Sequence, residues 1–245
     1  MAYCRRPQGA GLTIPRVIHQ IWVGPAEPPV AWIDTWRGTG WEHRLWREDD
    51  LDTLSMRNRR VFDRYMADAC WHGAADVARV EILAEQGGLY VDADVERLSP
   101  LDGDSWLESE MFVLREPDTA WLTNTVMGCV SGARAMLAYR AAIGRGRTFN
   151  PFPHRWMYPV WKKVGPALLT RIAQAHIIDV VPAGAFFSEN MYGGPVEFDG
   201  FRFGTHHWYT SRRSLSGEDT EAREPIPVRE LPRRVKNKVT RLLGG

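Results

Sequence analysis

The sequence has few cysteines and no long run of apolar residues. Its three cysteines, Cys4, Cys70 and Cys129, are widely spaced and form no C-x-x-C pair, so neither a disulfide framework nor a zinc cluster is indicated. No stretch reaches the roughly 18 to 20 apolar residues that span a bilayer, and residues 1–15 lack the apolar core of a signal peptide. These absences favour a reducing, cytoplasmic location.

The sequence also lacks an excess of charge of either sign. Lys and Arg total 31 and Asp and Glu total 30, which gives a formal net charge of +1 and no overall attraction to nucleic acid. Hydrophobic residues make up 44% of the 245 residues and aromatic residues 11%, enough to fill the core of one α/β domain. We therefore expect a folded enzyme-sized domain without a nucleic-acid partner.

Segments with strand patterns alternate with segments of helical periodicity. The first strand is predicted at residues 16–23, and a helix at residues 73–86 ends at Gly87 and leads into a strand at 89–91. This order predicts a central, mostly parallel sheet flanked by helices. The other predicted elements are strands at 41–46, 111–114, 177–181 and 201–204, and helices that begin at about residues 49, 132 and 165.

Two carboxylates, Asp92 and Asp94, follow the predicted strand at positions i and i+2. Mn²⁺ and Mg²⁺ prefer oxygen ligands, so such a pair can hold an ion while the phosphates of a substrate complete its coordination. Upstream, Asp76 and Arg79 share one helix face. Taken alone, the Asp92–Asp94 pair would be read as a solvated turn, and Asp76 with Arg79 as a surface ion pair. The order of the two pairs on either side of Gly87 and Gly88 instead favours a metal–diphosphate site.

The pattern A-x-D-x-x-R-x-x-x-L-x-x-x-G-G-x-Y-x-D-x-D, at residues 74–94, resembles the DXD-containing sugar-transferase family. That family includes yeast initiating mannosyltransferases, bacterial capsule transferases and, more distantly, clostridial glucosylating toxins. Residues 14–24 resemble its opening strand and residues 46–50 its tryptophan-plus-acid segment. The resemblance covers roughly residues 14–102 and implies a GT-A-type α/β fold. We expect a catalytic domain at 1–213, and the composition of residues 214–245 predicts a polar linker and a basic amphipathic segment.

The resemblance further implies a metal-dependent transfer of a hexose from a UDP- or GDP-sugar to a hydroxyl of a glycan, glycolipid or protein, with retention of anomeric configuration. Asp94 would bind Mn²⁺ or Mg²⁺ directly, and Asp92 would contact the nucleotide ribose or metal-bound water. Asp76 and Arg79 would bind hydroxyls of the donor sugar, and Asn124 would reach the donor sugar or the acceptor. Tyr90 is a further candidate substrate-binding residue.

The end of the first strand offers candidate nucleotide-binding residues, since open α/β sheets bind ligands beyond the carboxyl ends of their strands. His19 and Trp22 belong either to the core or to this pocket. The full set of candidates is His19, Gln20, Ile21, Trp22 and Val23.

A histidine pair near the end of the domain, His206 and His207, resembles the segment that completes the family's metal site. Adjacent strand residues point to opposite faces, so at most one of them should enter the site. Downstream, Ser211, Arg212 and Arg213 depart from the family pattern.

Two other functions and two unassigned surfaces stay open at this point. Asp92 could be the nucleophile of a haloacid-dehalogenase-like phosphatase, or the chain could bind sugar nucleotides without catalysis.

The C-terminal segment either contacts anionic membrane or packs on its own domain. The acceptor loops are expected at about residues 149–161 and 186–194, where Phe152, Trp156 and Tyr192 suit stacking on a sugar as well as core packing.

Overall fold

The protein is described by a computed structural model that covers residues 13–101, 105–145 and 160–209. Its centre is a six-stranded sheet with the order β2-β1-β3-β6-β5-β7, in which β6 alone runs against the other five strands. A separate two-stranded sheet pairs β4 with β8. The predicted fold class, a mostly parallel α/β sheet, is confirmed.

The strands are β1 Val17–Ile21, β2 Glu42–Trp46, β3 Gly88–Val91, β4 Val95–Arg97, β5 Met111–Arg115, β6 Leu122–Cys129, β7 Asp179–Val181 and β8 Gly204–His206. The helices are α1 Val30–Ile33, α2 Glu48–Thr53, α3 Arg59–Ala67, α4 Trp71–Gln86, α5 Arg134–Arg145, α6 Val160–Lys163 and α7 Pro166–Ala173. Short 3₁₀ helices occupy Asp34–Trp36, Ser105–Glu108 and Ala183–Ala185.

Helices cover one face of the central sheet. The long helix α4 packs on β1, β3 and β6 and also contacts α3 and α5, while α7 packs on β6. The opposite face buries a row that includes Leu89 and Phe112, and Phe112 meets the aromatic ring of Trp106. The two faces together hold β3 in the middle of the sheet, and the site lies at its carboxyl end.

The chain divides into two compact units, Met1–His207 and Trp208–Gly245, and everything described below lies in the first. The predictions for residues 214–245, and for Phe152 and Trp156, fall outside the described residues. Within the described ranges, we find no helix long and apolar enough to cross a bilayer.

Several elements differ from the sequence-based expectation. The longest strand, β6, was not predicted, and it places Asn124 within a strand rather than in a turn. Residues 59–67 form a helix where only a basic segment was recognised. The last strand begins at Gly204 instead of ending there, which brings His206 into the β4–β8 sheet.

The glycine pair between α4 and β3 is required by the backbone. Gly87 has φ 67° and Gly88 has φ 98°, a region that L-residues enter at a cost. A Cβ atom at Gly88 would lie 2.7 Å from the carbonyl oxygen of Val17 on β1, and one at Gly87 would lie 2.5 Å from the amide nitrogen of Ser131. The pair therefore lets α4 turn directly into the central strand.

We expect Gly88→Ala to destabilise the protein by about 2–4 kcal/mol, because backbone strain and a clash with β1 act together. Gly38→Ala is the matched control, since Gly38 also has a positive φ, 68°, but has open space around its Cβ position. The control should cost only about 1 kcal/mol. Urea unfolding of the two variants measures both values, and equal losses would contradict the proposed clash.

Candidate active site

The Asp92–Val95 turn follows β3 and is held from several sides. Inside the turn, the amide of Val95 donates to the carbonyl of Asp92 at 3.0 Å. The Asp92 amide donates to the carbonyl of Thr125 on β6 at 2.8 Å. From the N-terminal part of the chain, Gln20 Nε2 donates to the Asp92 carbonyl at 3.3 Å and Trp36 Nε1 to the Val95 carbonyl at 2.7 Å. The positions of both carboxylates are thus fixed by their backbone.

Asp92, Asp94 and His206 form a group whose ligand atoms all lie within 4.8 Å of one another. The β4–β8 pairing puts His206 opposite Val95, and His206 Nε2 lies 3.1 Å from Asp94 Oδ1. Two carboxylates and an imidazole are a donor set that accepts a divalent ion, and the imidazole suits Mn²⁺ better than Mg²⁺. The residues present therefore fit the metal that the resemblance implies.

The neighbouring His207 points elsewhere. Its backbone amide donates to the carbonyl of Asp94 at 2.9 Å, while its Nε2 lies 2.9 Å from Glu96 Oε2. Its ring stacks on Trp32, with ring centroids 4.1 Å apart and planes within 7° of parallel. Of the two candidate histidines, the structure brings His206 to the carboxylates and places His207 against β4 and α1.

A second, buried network adjoins the carboxylates and centres on Arg79. The guanidinium lies 3.1 Å from Asp76 Oδ1 and 3.0 Å from Asp92 Oδ1, and it donates to the carbonyl of Asn124 at 2.7 Å. It also lies over the ring of Tyr90 at 4.3 Å. Arg79 is 5% exposed and Asp76 8%, so this is not the exposed surface pair that their spacing alone would suggest.

Tyr90 and Asn124 complete this network with side-chain hydrogen bonds. The Tyr90 hydroxyl donates to Asp92 Oδ1 at 2.8 Å, and Asn124 Nδ2 donates to Asp76 Oδ1 at 2.8 Å. Four predicted site residues from α4, β3 and β6 thus join Asp92 in one cluster: Asp76, Arg79, Tyr90 and Asn124.

Burial dominates the electrostatics of this cluster. It raises the pKa of Asp76 to about 6, against the opposing effect of Arg79. Burial also raises the pKa of Asp92, again opposed by Arg79 and reinforced by the neighbouring Asp94. Arg79 pairs with two carboxylates, Asp76 and Asp92, and Asp94 adds a further negative charge beside Asp92. A cation bound beside Asp92 would offset the charge that Arg79 leaves uncompensated.

The side chains of the candidate nucleotide-binding residues at positions 19–23 are buried. Trp46 Nε1 donates to His19 Nδ1 at 3.2 Å, which leaves Nε2 as the donor to the Gly87 carbonyl at 3.1 Å. Burial lowers the pKa of His19 to about 4, which matches a neutral ring. Trp22 is 8% exposed and donates to the carbonyl of Ala26. The structure therefore favours the core alternative for His19, while Ile21 and Val23 are buried beside it.

Sequence reasoning missed Trp36 and Gly165 as contributors to the site, and it assigned Gln20 to the nucleotide pocket rather than to the Asp92–Val95 turn. Trp36 reaches Val95 across 59 positions of sequence, and Gln20 holds the Asp92 backbone while its Oε1 pairs with His43 Nε2 at 2.8 Å. Gly165 approaches Asp76 so closely that a Cβ there would lie 2.8 Å from Asp76 Oδ2. Of these, only the Gly165-Pro166 dipeptide gave a local signal, that of a helix start.

Part of the chain is similar in sequence to known proteins. Residues 32–113 match the sequence family described as "Glycosyltransferase sugar-binding region containing DXD motif". A curated relative, inositol phosphoceramide mannosyltransferase 1 of Schizosaccharomyces pombe, is 27% identical over 172 residues, or 64% of this chain and 50% of the relative. The chain thus spans about half the length of that relative.

Solved structures show the same fold. PaToxG glycosyltransferase superposes with a TM-score of 0.55 and 16% identity over 69% of this chain and 72% of its own. The ligand-free glycosyltransferase domain of the YGT toxin gives a TM-score of 0.50 and 10% identity over 69% and 80%. The predicted GT-A-type fold is confirmed, and residues 32–113 match the sugar-binding region of the predicted family.

Proposed function

We propose that this protein is a glycosyltransferase that moves a hexose from a UDP- or GDP-sugar to a hydroxyl of a glycan, glycolipid or protein, using Mn²⁺ or Mg²⁺ and retaining the anomeric configuration. The observation that carries the proposal is that Asp92 belongs to two groups of side chains at once. One side of the cluster is the metal-ligating group with Asp94 and His206, and the other is the buried Arg79–Asp76 network. The diphosphate of the donor would bind at the metal-ligating group, and the attached sugar would lie beside the Arg79–Asp76 network.

On the diphosphate side, Asp92, Asp94 and His206 would hold the ion. Bound there, a divalent ion acts as a Lewis acid that stabilises charge on the departing diphosphate. The carboxylates are fixed before substrate arrives, because Gln20, Trp36 and Thr125 hold the backbone of their turn. Such preorganisation lowers the cost of reaching the transition state.

On the sugar side, Asp76 and Arg79 would orient the hexose. Oδ1 of Asp76 is engaged by Arg79 and Asn124, whereas Oδ2 faces Gly165, where a side chain is absent. We assign Oδ2 as the acceptor for a sugar hydroxyl. The pKa of the Asp76 carboxyl is about 6, so the group is ionised at neutral pH and Oδ2 can accept a hydrogen bond.

The phosphatase alternative requires Asp92 as a nucleophile. Asp92 Oδ1 accepts from Tyr90 and pairs with Arg79, which stabilises the carboxylate and lowers its nucleophilicity. A retaining transfer needs no protein nucleophile when the leaving phosphate takes the proton of the acceptor. The hydrogen bonds of Asp92 therefore favour a binding role.

The test is a panel of UDP- and GDP-hexoses, in which release of UDP or GDP is followed with Mn²⁺, with Mg²⁺ and with EDTA. We expect one donor class to be hydrolysed only with metal. Release of phosphate from p-nitrophenyl phosphate, with no nucleotide release, would instead support the phosphatase. Donor binding by calorimetry without turnover in the presence of an accepted hydroxyl would support the non-catalytic binding protein.

We expect His206→Ala to raise the Mn²⁺ concentration for half-maximal nucleotide release by about 10- to 100-fold, since a direct ligand is removed. His207→Ala is the matched control, because His207 contacts Glu96 and Trp32 instead. Its Mn²⁺ requirement should shift by less than about threefold. A Mn²⁺ titration of both variants decides the assignment, and the reverse ranking would transfer the metal role to His207.

A further inference from the structure

Two exposed tryptophans, Trp121 and Trp161, lie together at the rim of the sugar side. Their indole rings meet edge to face, with centroids 5.4 Å apart and planes at 75°. Trp121 is 40% exposed and Trp161 39%, although tryptophan is among the side chains that gain most from burial. None of the roles assigned above uses either ring, so this surface, the Trp121–Trp161 pair, needs its own explanation.

The Trp121–Trp161 pair is adjacent to the carboxylate that we assign to the donor sugar. The Cα atom of Trp161 lies 2.9 Å, and Asp76 Oδ2 2.8 Å, from the point where a Cβ of Gly165 would sit. Trp161 and the Asp76 carboxylate are therefore close neighbours across a residue that has no side chain. Trp121 immediately precedes β6, which carries Asn124 three positions later.

Buried contacts hold the pair in place. The Leu122 amide donates to Thr170 Oγ1 on α7 at 2.9 Å, which ties the start of β6 to that helix. The Tyr139 hydroxyl donates to the Val164 carbonyl at 2.5 Å, which fixes the backbone between α6 and α7. Two tryptophans on tethered segments lose little conformational entropy when a ligand binds.

We propose that the Trp121–Trp161 pair is the acceptor subsite and that it binds the pyranose ring of a saccharide acceptor. The proposal rests on the proposed function. An indole offers an apolar face for the C–H face of a pyranose while the hydroxyls at the ring edge stay hydrated or hydrogen-bonded. Stacking on this rim would bring an acceptor hydroxyl toward a hexose held at Asp76.

The transfer balances without any further reactant. The bond from the anomeric carbon to the diphosphate oxygen breaks with its electron pair on that oxygen. The acceptor hydroxyl oxygen bonds to the same carbon, and its proton passes to the departing diphosphate. The tryptophans take no part in these steps and act by placing the acceptor.

Position favours a saccharide over an anionic membrane at this surface, because the pair adjoins the Asp76 carboxylate and the local charges are mixed. Glu116 and Asp118 belong to the turn that leads into Trp121, and the Glu116 amide donates to the Trp121 carbonyl at 2.9 Å. These carboxylates would repel an anionic lipid headgroup, whereas Arg115, Lys162 and Lys163 would attract it. Lys162 is a nearby cation, and its Nζ already lies 5.1 Å from the centroid of the Trp161 ring.

The experiment compares Trp121→Ala, Trp161→Ala and Trp161→Phe with wild type, using the donor found by the nucleotide-sugar panel. The acceptor probes are methyl β-glucopyranoside, methyl α-mannopyranoside and lactose, with glycerol as a hydroxyl that has no pyranose. We expect each alanine variant to raise the KM of a saccharide acceptor about tenfold or more and to lower the ratio of transfer to donor hydrolysis. Trp161→Phe should recover most of that loss, because a ring face is retained.

Phe201→Ala is the matched control. Phe201 is 60% exposed and also packs edge to face, on Phe203, with ring centroids 4.9 Å apart. This variant should keep the wild-type acceptor KM. The proposal is overturned if the alanine variants keep that KM too, if hydrolysis and transfer fall by the same factor, or if wild type hydrolyses donor but uses no saccharide.

A binding measurement separates this proposal from the proposed function. Saccharide quenching of tryptophan fluorescence is measured without donor. Quenching that Trp161→Ala abolishes, in a protein that turns over no donor, would support the subsite and reject the transferase activity. Sedimentation with phosphatidylcholine–phosphatidylglycerol vesicles tests the membrane alternative. Vesicle binding that requires both tryptophans, without saccharide quenching, would overturn the subsite in favour of a lipid contact.

Discussion

Replacement of Asp94 by Asn should reduce metal-dependent release of UDP or GDP by roughly 100- to 1000-fold. Asp94 is buried at 5% exposure and lies 3.1 Å from His206, so its amide analogue keeps the shape of the site and removes one negative charge. The loss should appear mainly in kcat, because charge on the departing diphosphate develops as the bond breaks. Steady-state kinetics at saturating Mn²⁺ provides the measurement.

Asp179→Asn is the control for that experiment. Asp179 begins β7 and is exposed, so its replacement changes net charge equally without touching the site. Asp94→Asn should unfold at the wild-type urea concentration or higher, since a buried carboxylate is costly to fold around. Asp179→Asn should unfold at the wild-type concentration, because Asp179 is exposed. Retention of more than about one tenth of the activity by Asp94→Asn would remove Asp94 from the metal site.

The part of the site that the sequence predicted is the part encoded by local signals. The glycine pair at Gly87 and Gly88 marks the end of α4 and the start of β3, because other residues adopt such φ angles only at a cost and a Cβ at Gly88 would clash with β1. The glycine pair joins the helix that carries Asp76 and Arg79 to the strand that ends at the Asp92–Val95 turn. The metal–diphosphate prediction therefore depended on about twenty consecutive residues.

What the sequence did not reveal depends on contacts between distant segments. Strand β6 contains Thr123 and Thr125, whose polarity is typical of an exposed segment, yet both are buried and their hydroxyls bond to each other at 2.8 Å. Its place between β3 and β5 follows from pairing across the sheet. Trp36 gave no sign that its indole would hold Val95, since aromatic side chains are common in cores without a positioning role.

The histidines show the same division between local and distant information. Alternation along a strand limited the metal site to one of His206 and His207, and nothing local could choose between them. The choice follows from the register of β8 against β4, in which His206 faces Val95 and lies beside Asp94. A shift of one residue would have exchanged their positions.

Removal of the buried guanidinium by Arg79→Ala should cost about 3–5 kcal/mol of unfolding free energy, because Asp76 and Asp92 are left buried without their cation. Arg64→Ala is the matched control. Arg64 pairs with Asp68 at 2.9 Å on an exposed helix face, where a pair contributes about 0–1 kcal/mol. Urea unfolding at neutral pH measures both, because urea adds no ions that would screen the pairs.

The cost of Arg79→Ala should also depend on pH, and the sign is set by Asp76. Its folded pKa of about 6 lies above the ordinary value of 3.8, so the folded state binds the proton more tightly than the unfolded chain. The resulting stability is full below about pH 4 and is lost as pH rises through 6. Without Arg79 the carboxyl protonates even more readily, so the difference from wild type should be smaller at pH 5 than at pH 8.

Arg79→Lys separates charge from geometry at the same position. A lysine keeps the positive charge, but its single ammonium cannot hold Asp76 and Asp92 together while stacking on Tyr90 as the planar guanidinium does. We expect it to recover more than half of the lost stability and to leave nucleotide release at least about 100-fold below wild type. Full recovery of activity by lysine would mean that charge alone suffices at this position, and the orienting role of the guanidinium would be wrong.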